Sequence, residues 1–322
     1  MRCSILQMTS ASVVMLMFAS CAKETLNPVP IELPSFKVES GMLHFETTED
    51  YRTMTDMPSE PLRAAFLSKV KGETGFTSAN RAAALGAKSS DTDLLFLIDD
   101  PYFKEMLNEH LCVWIDDHIF RVNPEDGKVY VIPSSEVGDK YDDLVAQNTG
   151  DQDVREYPID VNVLDVVDDP QALWPFCNES GIPSKYDQEL FNDNSGITAS
   201  ATYAKYGIYF TVFAKIDPIG SSNPTYDFYF KGGVPGNEGH VYYRQKCGNT
   251  VDYNIRSSGT WYGTYRKYQS YQGSKGLNKL YFFFKPIMSD CPDPTGEVAG
   301  SDWDPCAQPF KSNEWIGFRH NY

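Results

Sequence analysis

The residues best suited to recognising a ligand lie in one run, Trp261-Tyr262-Gly263-Thr264-Tyr265-Arg266-Lys267-Tyr268-Gln269-Ser270-Tyr271. Tyrosine and tryptophan offer flat, rigid rings with a polar edge, suited to stacking on sugars or anchoring a protein partner. Trp261, Tyr262, Tyr265, Arg266 and Tyr268 are therefore the candidate binding residues for a glycan or for an envelope or host protein. On one straight strand successive side chains alternate between faces, so at most half of them could share a platform. The same residue types also serve ordinary sheet packing.

A second set occupies the loop from Cys291 to Cys306, rich in Pro, Gly and Asp. Asp293, Glu297, Asp302 and Asp304 are hard oxygen donors of the kind calcium takes, about six to eight at a time. A Cys291–Cys306 disulfide would hold them together, and closing a loop of about 15 residues is worth roughly 3 kcal/mol in the chain-entropy account. The spacing matches no EF-hand, and a solvated acidic loop accounts for the same residues. Cys112 sits in the apolar run Leu111–Ile115 and reads as a buried free thiol. Counting alone does not settle whether Cys177 meets Cys247.

Catalytic signatures are missing from the sequence. It has no His-Glu-x-x-His, Gly-x-Ser-x-Gly, phosphate loop, dinucleotide glycine pattern or Cys-x-x-Cys, and no catalytic residue is assigned. Acid pairs occur at Asp99-Asp100, Asp116-Asp117, Asp142-Asp143 and Asp168-Asp169. A glycosidase needs two carboxylates roughly 5–9.5 Å apart across a sugar, which sequence neighbours rarely supply. In these surroundings they shape turns and caps. His118 could face a cleft, with a solvent-facing strand histidine as the plainer reading.

The elements that must position these residues fall into two parts. Residues 36–155 read as an acidic α+β domain. Met42–Phe45 forms a short strand, and helices open at Thr47, at Pro61 and at Thr77 or Ser78. Strands at 111–115, 118–122 and 128–132 then make a small antiparallel meander. Residues 156–196 are read as a connecting segment, with one strand from Tyr157 to Val167. From Ile197 to the end the pattern is β, with strands at 197–204, 207–216, 225–231, 240–246, 250–256, 260–268, 278–287 and 313–319. Such a series predicts an aromatic-rich antiparallel β-sandwich, with a closed barrel as the runner-up.

Charge follows the same division. The net charge of −16 comes from residues 22–196, with 14 basic against 34 acidic residues, whereas residues 197–322 hold 13 against 10. An acidic surface of this size repels nucleic acid, so no nucleic-acid partner is expected.

Residues 1–20 have the form of a lipoprotein signal peptide: Arg2, an apolar Val13–Phe18, and Ala19-Ser20 directly before Cys21. The apolar stretch is shorter than the roughly 20 residues of a spanning helix. Lipid on Cys21 would make the membrane a partner, with residues 21–35 as anchor and tether. Ordinary secretion with cleavage nearby is the alternative.

The segment Asp100-Pro101-Tyr102-Phe103 through Leu107-Asn108-Glu109, followed by Val113–Val122, resembles a recurring N-terminal region of uncharacterised outer-membrane lipoproteins of Bacteroidota. Leu43–Thr47 and Asp50-Tyr51 fit its opening, so the resemblance covers roughly residues 36–135. It implies lipid anchoring in the outer membrane and no known activity. After Cys21 the run Ala22-Lys23-Glu24-Thr25 has one acid beside a lysine, so surface exposure is implied less firmly than attachment. The expectation is a non-enzymatic binding or adhesion module. The alternatives are a carboxylate hydrolase of polysaccharide or peptidoglycan and a structural envelope subunit.

Overall fold

The computed structural model describes residues 31–56, 58–85, 94, 96–150, 153–168, 187–192, 197–218, 225–231, 240–245, 250–254, 258–262, 266–288 and 316–320. For strand residues 187–199, 216–268, 270, 278, 279, 281, 283–288 and 316–320 the backbone alone is described.

Strands β1 (Phe36–Glu39) and β2 (Met42–Phe45) pair as a hairpin around Ser40-Gly41, at φ 49° and 73°. Two consecutive positive φ angles suit a two-residue turn whose twist matches that of the strands. Four helices whose bounds are described follow, each started by a side chain that satisfies an orphan backbone N–H. Thr47 Oγ1 accepts from Asp50 N at 3.0 Å at the head of α1 (Thr48–Thr55). Ser59 and Ser78 cap α2 (Glu60–Gly72) and α3 (Ala79–Ala84) in the same way, and Pro61 stands in the first turn of α2. Asp100 Oδ1 accepts from Tyr102 N at 3.0 Å to open α4 (Pro101–Met106).

Strands β3 (Cys112–Ile115), β4 (His118–Asn123) and β5 (Lys128–Pro133) form the expected meander, and β6 (Arg155–Pro158) pairs with β5. The sheet order is β1-β2-β3-β4-β5-β6. The sheet is mixed, because β2 runs parallel to β3 through His44↔Trp114 and Phe45↔Ile115. This corrects the expectation of a small, purely antiparallel sheet. The helices α1 to α4 supply the long crossover that parallel neighbours require.

Period-two alternation sends Val113, Phe120, Val122, Val129 and Val131 into one core with Tyr51, Phe66 and Phe103 from the helices. Cys112, Trp114, Ile119, Tyr130 and Ile132 face the other way, against Leu144 of α5 (Val137–Ala146). The predicted strand from Tyr157 to Val167 stops at Pro158. Val161 N turns back onto Pro158 O at 3.1 Å, and α6 (Val163–Val166) follows.

The remaining strands are β7 (Asp187–Asn192), β8 (Ile197–Lys205), β9 (Phe210–Pro218), β10 (Thr225–Lys231), β11 (His240–Gln245), β12 (Thr250–Asn254), β13 (Ser258–Tyr262), β14 (Arg266–Gly273), β15 (Leu277–Met288) and β16 (Ile316–His320). They pair antiparallel in two sheets, β14-β9-β8-β7 and β12-β11-β15-β10-β13, with β16 also on β15. The chain is therefore α+β in its N-terminal part and antiparallel β beyond it. Three boundaries differ from the sequence reading: the strand expected over 207–216 begins only at Phe210, the strand expected over 260–268 is divided between β13 and β14, and β7 lies in the segment read as a connection.

Candidate functional site

The turn between β8 and β9, Tyr206-Gly207-Ile208-Tyr209, is inserted into the core of the α+β part. Tyr206, Ile208 and Tyr209 are all buried there. The Tyr209 ring stacks on Phe103 with centroids 4.5 Å apart and planes 10° from parallel. Tyr51 Oη donates to Ile208 O at 3.2 Å. Gly207 N donates to Ile159 O at 2.9 Å, and Gly207 O accepts from Val163 N at 3.0 Å. Gly207 has φ +73°, and a Cβ there would stand 2.5 Å from Val129 Cγ2, so the close approach requires glycine.

A buried polar network surrounds this tip. Asp100 Oδ2 accepts from Tyr209 Oη at 2.7 Å and from Gln269 Nε2. Gln272 Nε2 donates to Tyr209 Oη at 2.6 Å, and Gln269 Nε2 also reaches Thr211 Oγ1 at 3.1 Å. Arg63 of α2 donates to Gln269 Oε1 at 3.0 Å and to Gln272 Oε1, while its guanidinium lies 4.7 Å above the Tyr102 ring. Burial raises the Tyr209 phenol well above its ordinary value, and the nearby Asp100 raises it further. The Tyr209 hydroxyl therefore remains a neutral donor. The Asp100 carboxylate, the Tyr209 hydroxyl and both glutamine amides are engaged, whereas the buried Arg63 Nε has no hydrogen-bond partner among the described residues; the arrangement fixes geometry.

Beside the tip lies a cleft of about 430 Å³, lined by Leu97, Pro124, Gly127, Ile159, Asp160, Ala204, Lys205 and Tyr206. Its walls are mainly apolar, and Asp160 and Lys205 are the charged residues among them. The sequence held no signal for it. Its residues come from four separate segments, and the strand sequence marks neither Lys205 nor Tyr206.

The predicted binding residues are distributed as follows. Trp261 and Tyr262 lie on β13, in register with Tyr226 and Thr225 of β10. Arg266 and Tyr268 lie on β14, in register with Ile216 and Ala214 of β9. The run is thus shared between two sheets, while Tyr265 lies outside the described residues. Cys21, Cys177, Cys247, Cys291, Cys306, Asp293, Glu297, Asp302 and Asp304 also lie outside them. Cys112 is buried, as expected, and its Sγ donates to His110 O at 3.5 Å. Among the described residues no cluster of His, Cys, Asp or Glu has metal-binding geometry. No helix among them is long and apolar enough to cross a membrane.

Several acid pairs have local structural roles. Asp100 caps α4. Asp116 adopts φ 55° in the β3–β4 turn, where its carbonyl accepts from Trp114 Nε1 at 2.7 Å. His118 is largely enclosed: its Nε2 accepts from Arg155 Nη2 at 3.1 Å and its Nδ1 faces Asp168 Oδ1 at 3.5 Å. Burial lowers the His118 pKa; Asp168 opposes the shift and Arg155 adds to it.

Asn108, within the motif of the N-terminal resemblance, organises a loop. Its Oδ1 accepts from His110 N at 3.0 Å and Cys112 N at 2.9 Å, and its Nδ2 donates to Tyr141 Oη at 3.0 Å. That loop holds buried Leu111 at φ 59°. No family model, curated protein or solved structure matches this chain.

Proposed function

We propose that the protein is an outer-membrane lipoprotein, anchored through Cys21, that acts as a non-enzymatic binding or adhesion module for a glycan or an envelope or host protein. The signal-like residues 1–20 and the resemblance of residues 36–135 to lipoproteins of Bacteroidota support the anchoring. The observation that carries the binding role is the placement of the aromatic run. Trp261 and Tyr262 sit on β13, and Arg266 and Tyr268 on β14, each the terminal strand in the order of its own sheet. Edge strands expose backbone donors and acceptors as well as a margin of side chains, the usual place for a partner to be received.

A two-sheet sandwich is part of this reading, supported by the proximity of β15 and β16 to β7 and β8. Calcium on Asp293, Glu297, Asp302 and Asp304, with Cys291 bridged to Cys306, would brace the loop that precedes β16.

A glycan array and a pull-down from envelope extract, both with the 36–322 fragment and repeated without calcium, test the proposal. Specific capture is expected, with Trp261→Ala, Tyr262→Ala and Tyr268→Ala each weakening it by about fivefold or more. Capture that survives all three substitutions would remove the site. Cys21→Ser should release the protein from the membrane fraction, and retention there would defeat the anchor.

A further inference from the structure

We infer that His118 and Arg155 form an acid-sensitive latch, which holds α6 and the residue after it in place at neutral pH and loosens them in mild acid. The latch uses none of the aromatic-run residues, so it goes beyond the binding role proposed above and can fail independently of it. It begins with a constraint of chemistry. A guanidinium in a protein keeps its proton and can only donate. Arg155 Nη2 lies 3.1 Å from His118 Nε2, so that ring nitrogen is the bare acceptor and the proton of the neutral ring sits on Nδ1. Nδ1 faces Asp168 Oδ1 at 3.5 Å. Protonation would add an N–H to Nε2, setting donor against donor and cation against cation across the Arg155 contact.

The surroundings place this change in mild acid. Asp116 and Asp117 of the β3–β4 turn and Asp168 beyond α6 favour the charged ring, while burial and Arg155 oppose it, and burial is the largest influence. The His118 side chain is only 12% exposed, whereas Asp168 is 80% exposed and its charge is screened by water. Across the strands His118 is in register with the uncharged Ile115 and Pro133. The other end of Arg155 gives the contact its consequence. Nη1 donates to Val167 O at 2.9 Å, just past the end of α6. The guanidinium is planar and rigid, so displacing Nη2 from His118 carries Nη1 away from Val167 as well. A helix of four residues has little stability of its own, and outside contacts decide whether it stays in place. Loosening α6 also reaches the buried turn, because Val163 N donates to Gly207 O at 3.0 Å.

Amide hydrogen exchange of the full chain tests this, read by mass spectrometry from about pH 7.5 to about pH 5 and corrected for the intrinsic pH dependence of exchange. The range spans the ordinary histidine value of about 6.5 and stays above the ordinary carboxylate values of about 4. Peptides containing Val163, Asp165 and Val167 should exchange about tenfold faster at the acid end, the effect of losing one hydrogen bond to a charged donor. Peptides from β3 to β5 should keep their protection. His118→Gln retains an amide oxygen for Arg155 and gains no charge in acid, so the rise should vanish. Arg155→Ala should loosen the same peptides at neutral pH and leave them indifferent to acid. No acid-dependent rise overturns the inference, as does a rise shared equally by β3 to β5 or one that persists in His118→Gln. Protection of the 163–167 amides in Arg155→Ala equal to wild type at neutral pH overturns it too.

Discussion

Asp100 illustrates how one side chain serves several levels of structure. Its Oδ1 starts α4, and its Oδ2 receives Tyr209 of the β8–β9 turn and Gln269 of β14, each more than 100 residues away in sequence. Replacing it by alanine removes the cap and strands a buried hydroxyl and amide. Asp100→Ala should therefore cost about 3 kcal/mol or more in urea unfolding. A loss below about 1 kcal/mol would mean that the network does not hold the turn in place. His118 supplies a pH dependence. Its pKa in the fold lies below the ordinary 6.5, chiefly through burial, so the unfolded chain binds more protons between those two values. Stability should then fall as pH drops below 6.5 and level off beneath the folded pKa. His118→Gln should flatten that part of the profile, read from urea midpoints at successive pH values, and an unchanged slope would assign the effect elsewhere.

At the scale of elements, the β8–β9 turn acts as a plug. A hairpin normally presents its turn to water, yet here Tyr206, Ile208 and Tyr209 are buried against Phe103, Tyr51 and neighbouring residues. Gly207 permits this by combining a positive φ with a backbone approach that leaves no room for a Cβ beside Val129. Gly207→Ala should lower stability by about 2 kcal/mol or more, from left-handed strain and the forced shift of Val129. The 210–218 strand should lose amide-exchange protection first. If the variant unfolds at the wild-type midpoint, the turn is not docked as described. The Asn108 loop follows the same logic in reverse: a side chain holds the backbone so that buried Leu111 can adopt φ 59°.

For the whole molecule, the charge break near residue 196 coincides with a change of element type and not with a break in the core. Ala204, Tyr206, Ile208, Tyr209 and Phe213 belong to the same apolar cluster as Phe45, Phe66 and Phe103. A fragment of residues 36–155 would keep β1 to β5, lose all but the first residue of β6, and expose the socket for the turn. It should show helical and strand signal in far-ultraviolet dichroism without a dispersed amide spectrum, whereas residues 36–322 should give both. A well-dispersed, cooperatively unfolding 36–155 fragment would show that the plug is dispensable.

What could be read from the sequence was local. The caps at Thr47 and Ser78, Pro61 in the first turn of α2, the alternation along β3 to β5 and most strand positions after Ile197 depend on neighbours a few residues away. Chemistry confined to short spacing is visible in a linear string. The Ser40-Gly41 turn before Met42 was also present as a signal, and it marks β1 once its two positive φ angles are considered. The parallel union of β2 with β3, the separation of Trp261 and Tyr262 from Arg266 and Tyr268 into different sheets, and the buried turn are long-range contacts. So are the Asp100–Tyr209–Gln269 network and the cleft beside the buried turn. Such contacts depend on which apolar faces find each other when the chain collapses, a choice made by packing between segments distant in sequence and carried by no local pattern.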